Sequence, residues 1–166
     1  FILVGHPGYT SSSFILKISE EGNVQWWKSI DDEGSRLWAV QQTSDGGYIA
    51  AGSLKGALIL KFDQDGNIQW QKGYRGGARA IAEDLQGGYI VAGSTFSDQE
   101  SNLEALIMKL KDNGVIENCG FKSPLNVSIT DVTGNGYSTS IEMKTASLTS
   151  QDGEALVGSC PFLSLK

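Results

Sequence analysis

The sequence predicts an all-β protein made of repeated four-stranded antiparallel meanders, followed by a Ser/Thr-rich β tail. Two observations carry this. Short apolar runs are each closed by a Gly-bearing turn, and the 21 glycines against three prolines suit a chain that reverses often rather than a helical bundle. The runs also recur at a spacing of roughly 40–50 residues, the period of a supersecondary unit that must stack on its neighbours.

The repeat has two blocks. Phe1-Ile-Leu-Val-Gly5 matches Tyr48-Ile-Ala-Ala-Gly52 and Tyr89-Ile-Val-Ala-Gly93. Lys17-Ile-Ser-Glu-Glu-Gly22-Asn-Val-Gln-Trp26 matches Lys61-Phe-Asp-Gln-Asp-Gly66-Asn-Ile-Gln-Trp70, and a decayed copy runs from Lys109 through Gly114 to Asn118. The second unit is whole. Its four strands are expected at Leu37 to Thr43, Tyr48 to Ser53, Ala57 to Asp63 and Asn67 to Tyr74. Asp45-Gly46-Gly47, Lys55-Gly56 and Asp65-Gly66-Asn67 supply residues that tolerate φ > 0, so neighbouring strands are joined as hairpins. The third strand is almost entirely apolar, as a strand covered on both faces should be. The fourth alternates, with Ile68, Trp70 and Lys72 on one face and Asn67, Gln69 and Gln71 on the other, as a half-buried outer strand does.

Recurring four-stranded meanders are the units of a β-propeller. The blocks GGYIAAG, ALILKFDQDGNIQWQKGY and GGYIVAG resemble the repeats of secreted microbial β-propeller proteins, most of them uncharacterised. The resemblance covers residues 1–120 and implies a propeller-type fold without implying a chemistry. It divides that region into a partial blade at 1–33, a full blade at 34–75 and a weakened blade at 76–120. This is an incomplete set, since a closed ring usually takes four to eight blades. The first unit lacks its opening strand, so the expectation is completion by upstream blades or by other chains, or a stack that stays open.

The tail, 121–166, shows strand-like runs at Asn126 to Val132, Tyr137 to Leu148 and Ala155 to Gly158. It reads as a degenerate fourth blade, a separate β-module, or strands that pair onto an exposed sheet edge. Cys119 and Cys160 flank or sit in this polar region and are read as a disulfide in preference to two buried free thiols. In the chain-entropy model the cross-link would stabilise by about 4 kcal/mol, and it would place the protein in an oxidising compartment. Related secreted propeller proteins end in a similar Cys-Pro-bearing tail, which Cys160-Pro161 resembles. Asn126-Val127-Ser128 is a candidate glycosylation sequon.

Candidate chemistry is sparse. His6 is the only histidine, so any His-dependent nucleophile would have to use it; it reads as a solvated loop residue. One His and two distant Cys offer no zinc spacing. Asp63-x-Asp65-Gly66-Asn67 opens like a calcium loop, but Tyr74 stands where the bidentate Glu belongs and the equivalents include Lys111, so a hairpin turn is the better reading. The acidic groups Asp31-Asp32-Glu33 and Asp98, Glu100, Glu104 read as solvated loop charge. The second group, in the long insertion Ser94 to Asn102, is a candidate contact surface through Asp98 and Glu100. Trp26 and Trp70 are repeat-equivalent and predict packing between units. Trp27 lies on the opposite face of its strand and is the candidate exposed aromatic contact. Quinone-dependent propellers also repeat a Gly-x-x-x-Trp, but no catalytic base or metal cluster accompanies it here; no cofactor or metal is expected.

The net charge of −6 and singly dispersed basic residues argue against a nucleic-acid partner. No apolar run approaches the roughly 18 residues of a membrane helix. The expected function is a non-enzymatic, extracellular or cell-surface structural or adhesive repeat protein, as a homo-oligomer or with further blades. Alternatives are a carbohydrate-binding or carbohydrate-active fragment with a glycan ligand, and a scaffold presenting a protein-binding face.

Overall fold

A computed structural model describes residues 1–6, 12–96, 103–116 and 127–131. These form eleven strands and, among the described residues, no helix. The first sheet is ordered β1 (Ile2–Gly5), β2 (Ser13–Ile18), β3 (Val24–Ile30), with β11 (Ile129–Asp131) at its outer edge. The second runs β4 (Arg36–Gln42), β5 (Tyr48–Ser53), β6 (Ala57–Phe62), β7 (Ile68–Tyr74) in chain order. The third holds β8 (Gly77–Glu83), β9 (Tyr89–Phe96) and β10 (Leu103–Leu110). Every pairing is antiparallel, as consecutive hairpins require.

The strands expected in the second unit are found, displaced at an end by no more than one residue. The Gly turns place them. Gly46 and Gly66 both take φ above +80°, the left-handed region closed to most side chains. Asp63 accepts from the amides of Asp65 (2.9 Å) and Asn67 (2.8 Å) and from Asn67 Nδ2 (2.9 Å), so its carboxylate is committed to the hairpin turn.

The apolar run of β6 is explained by a core on each side. Leu58, Leu60 and Phe62 join Ile15, Ile30, Leu37 and Tyr48 in a cluster between the first and second sheets. Ala57 and Ile59 join Tyr89, Val91, Leu106, Met108 and Leu110 in a cluster between the second and third. All six residues of β6 are buried. A strand alternates its side chains between faces, so both parities must be apolar where both faces meet a sheet. Lys61 is the exception: it is 2% exposed and reaches Asp45 at 2.8 Å.

Strands β4 and β8 share an irregularity. Each slips register beside its partner, between Leu37 and Ala39 and between Ala78 and Ala80. At the slips a Cβ on Gly52 would lie 2.0 Å from the Arg36 carbonyl oxygen, and one on Gly93 would lie 1.9 Å from that of Gly77. Only glycine admits so close a backbone.

Two expectations need correction. The insertion expected at Ser94 to Asn102 begins later, because β9 continues to Phe96 and pairs it with Leu103. Glu104, expected in a polar loop, is paired with Thr95 inside β10. Of the tail, the described part is the run that β11 occupies, and it adds to the free edge of β3, one of the arrangements open to it. The other two expected tail strands lie outside the described residues.

Candidate functional site

The repeated residues converge where one sheet meets the next. Trp26 of β3 stands edge-on to Tyr48 of β5, with ring centroids 5.7 Å apart. A Cβ on Gly66 would lie 3.0 Å from both Trp26 and Lys28. The indole and the lysine stem, two residues apart on one strand face, therefore cover the glycine of the next unit's turn. The indole Nε1 donates to the Gln64 carbonyl at 3.3 Å and Lys17 Nζ to the same oxygen at 3.2 Å. Lys17 also lies 5.4 Å from the centre of the Tyr48 ring, within cation–π reach.

The second junction repeats the first. Trp70 of β7 packs on Tyr89 of β9 at 5.8 Å. A Cβ on Gly114 would lie 2.8 Å from Trp70 and 2.9 Å from Lys72. Tyr74 adds a hydroxyl hydrogen bond to the Gly114 carbonyl. Burial pushes the Tyr74 and Tyr89 phenols up to about 12. Such aromatic pairs contribute about 0.5–1.5 kcal/mol beyond the area they bury.

The first unit carries the receiving half of this arrangement with nothing seated in it among the described residues. Gly22, equivalent to Gly66 and Gly114, has φ +86° and nothing within 4 Å of a built Cβ. Phe1, equivalent to the 4%-exposed Tyr48 and Tyr89, is 63% exposed. Leu3, Leu16 and Trp27 are paired across β1, β2 and β3 on one face, and Trp27 meets the Phe14 ring edge-on at 6.4 Å. Val24, Leu3 and Trp27 are all exposed. This leaves a continuous apolar face on the first sheet. Trp27 thus stands on the side opposite Trp26, as its strand position predicts.

Other candidates resolve differently. Asp98, Glu100, Asn126, Cys119 and Cys160 lie outside the described residues. Asp31 is exposed, as solvated loop charge should be, and Asp32 is half-buried; both also hold the tail. Asp32 accepts from the Ser128 amide at 2.9 Å, Asp31 from the Thr130 hydroxyl, and Lys28 pairs with Asp131. A loop acid finds a partner here because the tail strand brings donors from nearly a hundred residues away. His6, expected in solvent, is half-buried with its ring 4.7 Å from Trp38 in an edge arrangement. Arg79 lies 4.4 Å over the Trp38 ring. Trp38 and Arg79 hold equivalent places at the slips of β4 and β8, a signal that aligning the unit's first strands would have exposed.

Lysines and acids also recur within sheets. Lys61 pairs with Asp45 and Lys109 with Asp84 at 2.7 Å, each joining a third strand to the turn before the second. Hydrogen bonds from Lys61 and then Thr43 hold the Asp45 carboxyl down to about 2. Among the described residues no three His, Cys, Asp or Glu side chains are grouped to hold a metal ion, and no helix is long and apolar enough to cross a membrane.

No family model matches the chain, and neither a curated protein nor a solved structure matches it.

Proposed function

We propose that this chain is a non-enzymatic structural or adhesive module of β-propeller type, acting outside the cell or at its surface, that joins other copies or similar β-repeats. The carrying observation is the use of the repeat residues. Trp26, Lys28 and Gly66 at one junction, and Trp70, Lys72 and Gly114 at the next, are spent on holding sheet to sheet. A unit of this kind cannot cover its own apolar faces and gains stability by stacking. The exposed face around Leu3 and Trp27 is the surface through which further units join. Light scattering on the intact protein tests this. Mass rising with concentration is expected, and Trp27→Glu should suppress the rise.

A second reading has an observation of its own. Trp27 is 36% exposed with Phe14 buttressing its edge, a suitable platform for the apolar face of a sugar ring. A monomer at every concentration, together with glycan-array binding that Trp27→Ala abolishes, would favour this reading over assembly.

A further inference from the structure

We infer that the open face of the first sheet is the acceptor for one particular occupant: a further β-repeat whose outer strand carries Trp-x-Lys, with the Trp seated over Gly22 and against Phe1. The inference takes from the assembly reading only that this face receives a further β-repeat, and it names that repeat. Both internal junctions supply the template. In each, Trp and Lys two residues apart close over a turn glycine of positive φ, and the Trp meets the aromatic that opens the next unit's second strand. Gly22 keeps that conformation with its Cβ direction empty among the described residues, and Phe1 occupies the aromatic position.

Steric room makes the fit specific. A Cβ at Gly66 or Gly114 would press on the covering indole at 2.8–3.0 Å, so the acceptor position must stay without a side chain to receive one. Gly22 meets this requirement. Leu3 and the Phe14–Trp27 pair extend the apolar surface beside it, in the place where Leu58, Leu60 and Tyr48 of the second sheet face the first. A second copy of this chain can meet this apolar face but has no Trp to seat over Gly22. Trp26 and Trp70 are already seated, and the third unit has Asn118 where the Trp would stand. The repeat that retains its Trp is that of another polypeptide.

The test extends the full chain with a copy of its own residues 36–88 placed directly before Phe1. The junction then reads Gly-Gly-Phe, as Gly-Gly-Tyr precedes β5 and β9. Hydrogen exchange in β1 and β2 is expected to slow by about tenfold or more, and copy and chain should unfold in one transition. Both effects should vanish when the Trp70 equivalent in the copy is changed to Asn. They should also vanish with Gly22→Asn, since Asn tolerates positive φ while its side chain fills the seat. In the unextended chain Gly22→Asn should leave exchange nearly unchanged. A copy that stays unstructured, or that folds without slowing β1, overturns the inference, as does docking that survives both substitutions. Docking to a chain that remains monomeric when unextended would remove self-assembly and keep the inference. Self-association without docking would do the reverse.

Discussion

At the scale of the residue, equivalent glycines separate backbone strain from contact. Gly22 and Gly66 have φ of +86° and +81°, but only Gly66 lies beneath Trp26 and Lys28. Alanine at either position meets the left-handed penalty of roughly 1–2 kcal/mol. Gly66→Ala should be worse than Gly22→Ala by about a further 1–3 kcal/mol, the usual range for forcing volume into a packed contact. Urea denaturation of the two variants checks this, and equal losses would mean that the indole gives way freely. The Asp45–Lys61 pair makes a second prediction. The folded carboxyl titrates near 2 against an ordinary 3.8, so the unfolded chain takes up the proton first as pH falls. Its contribution is complete above the ordinary value and is lost as pH drops toward 2. Asp45→Asn should flatten the pH dependence of stability in that window and leave its shape above pH 5 unchanged.

At the scale of the element, β6 shows how one strand serves two junctions. Leu60 faces the first sheet and Ile59 the third, and both are fully buried. Either change to alanine should cost about 2–5 kcal/mol. Hydrogen exchange should differ, rising in β2 and β3 for Leu60→Ala and in β9 and β10 for Ile59→Ala. The tail strand gives a further expectation. Asp32→Ala removes the acceptor for the Ser128 amide, so exchange should rise over β11 and at the β3 edge it covers, with β4 to β10 unchanged. These elements also mark what the sequence made legible. Turns and strands of the second unit could be read because they depend on local signals: glycine at positive φ, and apolar residues at one or both parities. The inward Trp26 and outward Trp27 could be read because adjacent residues of a strand point oppositely. The partners of Asp31 and Asp32 and the His6–Trp38–Arg79 contact could not, since each joins segments whose adjacency is decided by stacking. Glu104 reads as a loop residue from its polarity, whereas its strand is fixed by the apolar residues around it.

At the scale of the whole molecule, three sheets are joined in series by the same side-chain arrangement used twice. Coupling between sheets should therefore be local to each junction. The direct measurement is hydrogen exchange on the intact protein carrying Trp26→Ala or Trp70→Ala. Trp70→Ala is predicted to speed exchange in β7 to β10 and leave β1 and β2 as they were. Trp26→Ala is predicted to speed exchange in β1 to β3 and leave β9 and β10 alone. The same pattern from both substitutions, or no change at either junction, would contradict the claim that these tryptophans hold sheet to sheet.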